Sequence, residues 1–246
     1  MVMQAMGSEH LDELIALDDA YWWHVAKREL VARLLARHCP PPGRVVEGGF
    51  GSGRNLREFR RLGYAVQGLD AMPQAVDHAR RIGFDEVWQH DLTQPWPLEP
   101  ESTRAVVLLD VLEHLADPVA ALGHAARVLE PGGGVIVTVP ANPRLYGPWD
   151  EQLGHHRRYT SRLLRSQALE ASLRVERVTH WNSFSLPAAA VVRTLERWRP
   201  RREGTEFPRV PGWVNRTLVG CARMERWWLE RFAVPAGLSL VGVLRK

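Results

Sequence analysis

The chain reads as an α/β domain built on a doubly wound, largely parallel sheet. Three observations predict it. Short apolar runs alternate with helix-length segments from Arg44 onward, a glycine-rich turn follows the first run, and acidic residues close successive runs at intervals of about twenty residues, the length of one βα unit. A length of 246 residues suits one extended core with appended segments better than two independent domains. With 45% hydrophobic and 24% charged residues the chain can bury such a core, and no low-complexity tract points to extensive disorder.

The segment from about Leu11 to His38 has helical spacing in two pieces, Leu11, Leu14, Ile15 and Leu17, then Val25, Leu30, Val31, Leu34 and Leu35. Tyr21-Trp22-Trp23-His24 lies between them, and Pro40-Pro41-Pro42-Gly43 ends the helical pattern. Strand signals follow at Val45-Val46, 65–69, 86–88, 105–109 and 135–139, with helix signals at 54–62, 73–82 and 117–129. Residues 141–160 read as a polar, aromatic, proline-containing loop, and a helix from Ser161 to Ala171 takes Ser161 or Thr160 as its cap. Strands at 173–183 and 238–245 enclose two further helices, near 186–199 and 214–232, joined by an Arg/Pro/Gly linker from Arg199 to Gly204. The expected organisation is a helical cover over 1–42, a core of 43–183 plus 237–246, and a helical insertion over 184–236.

The most informative stretch is Val45-Val46-Glu47-Gly48-Gly49-Phe50-Gly51-Ser52-Gly53, a strand running into a glycine turn and then a helix. Glycines at 49, 51 and 53 permit positive φ and close approach of a ligand to the backbone. The dinucleotide pattern G-x-G-x-x-G is not met, since its last position falls on Arg54 when counted from Gly49 and on Leu56 when counted from Gly51. Asp70, Asp91 and Asp110 close the second, third and fourth strand signals. One such Asp is usually a helix cap. Together with Glu47 they converge on the carboxyl edge of a parallel sheet, where ligands bind, and suit a ribose diol, an amine and a nucleobase.

These residues resemble those of the class I S-adenosylmethionine-dependent methyltransferases, in their small-molecule group. The carriers are Glu47 to Gly53, Gly68-Leu69-Asp70-Ala71-Met72, His90-Asp91-Leu92, Asp110-Val111-Leu112-Glu113-His114-Leu115 and Leu129-Glu130-Pro131-Gly132-Gly133, in order from about Arg44 to Arg177. The resemblance implies a Rossmann-like seven-stranded sheet with its last strand antiparallel, and S-adenosyl-L-methionine as cofactor with S-adenosyl-L-homocysteine as product. Carried over, the cofactor contacts are Glu47, Gly49, Phe50, Gly51, Gly53, Asp70, Ala71, Met72, Asp91, Leu92, Asp110 and Val111. Asp70 would hold the ribose hydroxyls, Asp91 the adenine amine with Leu92 against the ring, and Asp110 the methionine ammonium. The chain departs from the family at Glu47, where Asp is usual, and at Phe50, where a small residue is usual.

Beyond the fifth strand the family places acceptor contacts. Here that region runs from Tyr146 to Tyr159. His155 or His156 would take a proton from an acceptor hydroxyl or amine, with His114 a second candidate base. Trp149, Arg157, Arg158 and Tyr159 are candidate acceptor contacts, the arginines as a clamp for an anionic group. Tyr21 and Trp22 belong to the cover and would seal the acceptor from water. Each reading competes with plain packing or a solvated surface. No metal is expected.

The formal net charge of +4 divides unevenly. Up to Asp150 there are 14 basic against 20 acidic residues, and beyond it 18 against 8. The acidic part carries the cofactor motifs, and the basic part the acceptor loop and an insertion in which Trp198, Trp213, Trp227 and Trp228 alternate with arginines. That insertion reads as a lid or dimer contact, a membrane-surface helix pair or, last, a nucleic-acid surface. The expected partner is a small molecule, without nucleic acid, for a monomer or homodimer. Two cysteines, Cys39 and Cys221, build neither a disulfide framework nor a zinc site. No leader or bilayer-spanning run is evident, so a cytoplasmic protein is expected. The rivals to methyl transfer are a nicotinamide oxidoreductase and a non-catalytic membrane-surface protein that keeps the fold.

Overall fold

Among the described residues seven strands, β1 (Arg44–Gly48), β2 (Ala65–Asp70), β3 (Val87–Gln89), β4 (Thr103–Leu109), β5 (Leu129–Pro140), β6 (Arg174–Trp181) and β7 (Ser239–Arg245), form one sheet in the order β3-β2-β1-β4-β5-β7-β6, with β7 antiparallel to both neighbours. The computed structural model describes residues 8–196 and 210–246, so Trp198 and the Arg199 to Gly204 linker lie outside the described residues. The helices are α1 (Ser8–Leu17), α2 (Trp22–His38), α3 (Arg54–Arg61), α4 (Pro73–Arg81), α5 (Pro118–Val128), α6 (Pro148–Gln152), α7 (Ser161–Glu170), α8 (Leu186–Glu196) and α9 (Gly212–Leu229).

Alternation of side chains along the central strands explains the two layers of helices. Val46, Val106, Leu108, Val135 and Val137 face α5 and α7, whereas Val45, Ala105, Val107 and Ile136 face α2 and α3. Both faces are covered, so these strands are apolar throughout instead of alternating. Val31 and Leu35 of α2 are fully buried in the second layer; at about 1.5–3 kcal/mol for each large aliphatic side chain, that anchors the helix.

Local chemistry sets the helix starts. Asp117 accepts the Ala120 N–H at the head of α5, Thr160 rather than Ser161 caps α7 through the Leu163 N–H, and Pro73 and Pro118 occupy first-turn positions. Three boundaries differ from the sequence expectation. Trp22, Trp23 and His24 form the first turn of α2 instead of a link between helical pieces, and the loop after β5 contains the short helix α6. β5 begins at Leu129 because the Gly132–Gly134 stretch extends it past an irregularity opposite Thr103 and Ala105.

α9 packs on α2 rather than on the sheet. Ala26 and Leu30 meet Ala222 and Leu229, with Trp181 and Val241 beneath. Arg223 and Arg226 both pair with Glu29, and Arg33 pairs with Glu230. The outer face of α9 leaves Trp213, Met224, Trp227 and Trp228 exposed. Among the described residues no helix is long and apolar enough to cross a membrane.

Candidate active site

The order of the sheet reverses between β1 and β4, and the crevice of a doubly wound sheet opens at the carboxyl ends of such a pair. The glycine turn leaves β1 at this point. Gly49, Gly51 and Gly53 have φ of +71°, +50° and +71°, and a Cβ on Gly49 would lie 2.6 Å from Val111 Cγ2. No larger residue fits position 49 without displacing the turn out of β4. Val111 therefore shapes the cradle.

Glu47 is buried in β1. Its Oε1 accepts a hydrogen bond from Asn55 Nδ2 at 2.7 Å, while Oε2 is buried without a partner. Burial pushes its carboxyl up to about 8, because no nearby cation compensates fully. Asp70, at the end of β2, accepts the Gly51 N–H on Oδ2 and the Met72 N–H on Oδ1, each at 2.9 Å. Burial raises its carboxyl above the usual range despite these bonds. One of its jobs is to tie the glycine turn to β2. Met72 is buried, Ala71 is partly exposed, and Leu92 is buried against Gly48. Asp91 is exposed and accepts the Thr93 N–H and hydroxyl on one oxygen.

Phe50 is a correction to the expected cofactor contacts. Its ring lies across Gly68 and packs with Leu11, Leu56, Met72 and Ala75, so it fills the core under the turn. The absence of a side chain at Gly68 makes the room.

Asp110 sits at φ +53°, in the left-handed region, with Lys27 Nζ 2.8 Å from Oδ2 and the Thr138 hydroxyl 3.0 Å from Oδ1. Burial opposes its ionisation, but the Lys27 ammonium and both hydrogen bonds outweigh that and hold the carboxyl below its usual range. Lys27 was not among the sequence candidates. Its signal was rarity, since it is one of two lysines among 32 basic residues.

Beside Asp110 lies a second cluster. Glu113 is fully buried, and neither carboxylate oxygen has a hydrogen-bond partner. Burial, then the Asp110 charge, raises its pKa well above the usual value. His114 and His155 stand edge to face with ring centroids 4.7 Å apart. His155 Nδ1 is 2.9 Å from Oδ1 of the fully buried Asp150, which also accepts from Arg158 Nε at 2.8 Å. An ionised carboxylate only accepts, so Nδ1 carries a proton, and in the neutral ring Nε2 holds the lone pair. Glu113 and Asp150 were likewise missed. Their only signals were adjacency to His114 and a five-residue offset from His155.

Three acceptor-side expectations change. Tyr159 is fully buried in the core, with its hydroxyl donating to the Leu112 carbonyl, so it supports the strand-four turn and does not line an acceptor site. Arg158 is spent on Asp150 and the Ala141 carbonyl, so it is not an unengaged anion clamp, whereas Arg157 donates one N–H to the Ala116 carbonyl and keeps its charge. His156 is exposed; its backbone N–H, not its ring, bonds Glu113. Trp149 is half-buried on α6.

The N-terminal helices close over the turn. Asp18 accepts from Arg28 and from the Ser52 hydroxyl, and Leu14 lies 3.0 Å from where a Gly51 Cβ would stand. Trp23 stacks on Trp181 at 4.7 Å, Trp22 meets Phe184 edge-on, and Tyr21 tilts against Trp22 and His24. The Trp22 N–H donates to Asn215 of α9, which in turn donates to the Ala20 carbonyl.

The model of a methyltransferase domain family matches residues 21–190. A ubiquinone biosynthesis O-methyltransferase of Dinoroseobacter shibae is 32% identical over 157 residues, covering 58% of this chain and 63% of that protein. A protein of the same description from Xanthomonas campestris pv. campestris (strain B100) is 28% identical over 141 residues, covering 52% and 59%. The chain thus spans about three fifths of the length of these curated relatives. Among solved structures, a chain in complex with the Trm112 methyltransferase activator of Haloferax volcanii superposes with a TM-score of 0.64 at 21% identity, over 99% of this chain and 97% of that one. A geranyl diphosphate C-methyltransferase of Streptomyces coelicolor, solved with Mg2+, geranyl diphosphate and S-adenosyl-L-homocysteine, gives 0.56 at 16% identity over 98% and 85%. At these identities the two structures speak for the fold alone.

Proposed function

Since the chain belongs to the methyltransferase domain family, we propose that it transfers the methyl group of S-adenosylmethionine to a hydroxyl oxygen of a small organic acceptor. The choice of oxygen is supported by the curated relatives, described as O-methyltransferases. The observation that carries the reading is a cradle whose unmet needs match the cofactor. Glu47 Oε2 is a buried acceptor lacking a donor, as an amino-acid ammonium would supply, and each oxygen of Asp70 accepts one N–H and keeps capacity for a ribose hydroxyl. Gly49 and Gly51 let a ligand approach the backbone, and Leu92 and Met72 offer apolar faces to an adenine ring.

When bound, the cofactor supplies an electrophilic methyl on a sulfonium. The protein's part is positioning, exclusion of water and removal of one proton. Lys27 neutralises Asp110 at the end of β4, and Thr138 fixes the carboxylate. His155 Nε2, oriented by Asp150, takes the proton of the acceptor hydroxyl. Tyr21, Trp22, Trp23 and Phe184 form the wall that keeps bulk water out, and α9 clamps that wall through Asn215, so we read the described parts of the insertion, 184–196 and 210–236, as part of the cover. With Arg158 committed to Asp150, an anionic acceptor would rely on Arg157, which keeps donors beyond its bond to the Ala116 carbonyl.

Calorimetry with S-adenosylhomocysteine and with NAD tests the cofactor, and mass spectrometry of products from phenol, catechol and alcohol panels tests the transfer. Binding of S-adenosylhomocysteine and products heavier by one methyl substitution are expected; binding of NAD alone would overturn the reading.

A further inference from the structure

We propose that Glu113, His114 and His155 form a binding site for one divalent transition-metal ion, of the Mn2+, Fe2+, Co2+ or Zn2+ class. One ligand atom from each lies within 4.8 Å of the others. Metal–nitrogen and metal–oxygen bonds of about 2.1 Å allow ligands up to about 4.2 Å apart, so the three side chains reach a common ion with small shifts.

Two observations independent of that clustering point to an ion. First, Glu113 is fully buried with both carboxylate oxygens lacking any hydrogen-bond partner. A buried carboxyl with no donor to either oxygen is a costly arrangement, and the neighbouring carboxylate of Asp110 is satisfied on both. A cation supplies what those oxygens lack. Second, Asp150 is itself fully buried and is spent on holding His155 by Nδ1 while Arg158 balances its charge. A carboxylate on one imidazole nitrogen, with the lone pair of the other directed away, is the second layer that orients metal-bound histidines.

The donor set chooses the ion class. Two imidazoles and one carboxylate favour late first-row divalent ions over Mg2+ or Ca2+, which demand mostly oxygen ligands. Three protein ligands leave coordination positions open at the end of β4, beside Asp110. For its catalytic role the inference rests on the proposed function. With the ion in place His155 Nε2 is a ligand and no longer the base: an acceptor hydroxyl in an open position would lose its proton to water, and the resulting oxygen anion would attack the methyl group as the carbon–sulfur bond breaks with its electron pair going to sulfur.

The test is titration of chelator-stripped full chain with Mn2+, followed by electron paramagnetic resonance, and with Zn2+, followed by calorimetry. One site per chain is expected. Glu113→Gln and His155→Ala should each weaken it by at least about tenfold, while His78→Ala on α4 leaves it unchanged. Melting by circular dichroism confirms that each variant is folded, and the partly exposed His155 keeps the test open should Glu113→Gln fail to fold. Lack of binding by the wild-type chain, or undiminished binding in folded His155→Ala, would overturn the proposal. Failure of methyl transfer in every metal state would overturn the proposed function and leave the titration result standing.

Discussion

The turns that leave β2 and β4 stand at the same edge of the sheet, each headed by an Asp, and they treat their carboxylates differently. At β2, Asp70 receives two backbone N–H groups from within the turn and from the neighbouring glycine loop. At β4, Asp110 needs Lys27 from α2 and Thr138 from β5, and three residues later Glu113 receives nothing. The β2 turn is locally self-sufficient, whereas the β4 turn depends on distant elements and is left incomplete. Carboxylates on this edge thus divide into those that hold the loops and those left open to a bound group, and hydrogen-bond satisfaction tells them apart.

Removing the distant partner should give the largest effect. Lys27→Met leaves Asp110 buried and unpaired, and a loss of about 3–5 kcal/mol is expected in urea unfolding, against far less for Lys246→Met at the exposed pair with Glu101. Next comes Glu47, the other unsatisfied carboxyl. Its folded pKa of about 8 lies above the ordinary 4.5, so its protonated form stabilises the fold below pH 4.5 and that contribution disappears as the pH rises to 8. Glu47→Gln should therefore gain stability relative to wild type as pH goes from 5 to 8, by on the order of 3 kcal/mol across the window, read from paired unfolding curves. A flat difference between the two proteins would place Glu47 with the satisfied group.

The self-sufficient side is probed at its glycine. Gly49→Ala combines a positive φ with a contact to Val111, for which about 2 kcal/mol and loss of S-adenosylhomocysteine binding are expected by calorimetry. The smallest effect belongs outside both turns. Arg223→Ala breaks a largely exposed pair with Glu29 that Arg226 also serves, and should cost under about 1 kcal/mol in thermal denaturation while S-adenosylhomocysteine binding holds.

The sheet and the turns at its carboxyl edge were legible because they rest on local patterns: apolar strand runs, glycines at 49, 51 and 53, and an Asp at the ends of β2 and β4. What escaped depends on contacts between residues far apart in the chain. Nothing near Lys27 announces that it reaches Asp110, 83 positions on, and nothing near Phe50 shows that the bare Gly68 makes room for its ring. The charge count conceals pairing for the same reason. Arg158, Arg223 and Arg226 inflate the basic half of the chain, yet they are bound to Asp150 and Glu29. Tyr159 looked like an acceptor contact by its place beside two arginines and is a core residue by its burial.

The position of β7 has a consequence for assembly during synthesis. β6 joins the sheet only through β7, which lies between it and β5 and follows it in the chain by the whole of α8 and α9. A ribosome releasing this chain in order therefore exposes β5 as an open edge, and β6 as a strand with no neighbour, until β7 arrives. Throughout that interval β5 is vulnerable to pairing with another nascent copy. The helical insertion sets how long the interval lasts, because it must be translated before the edge can close.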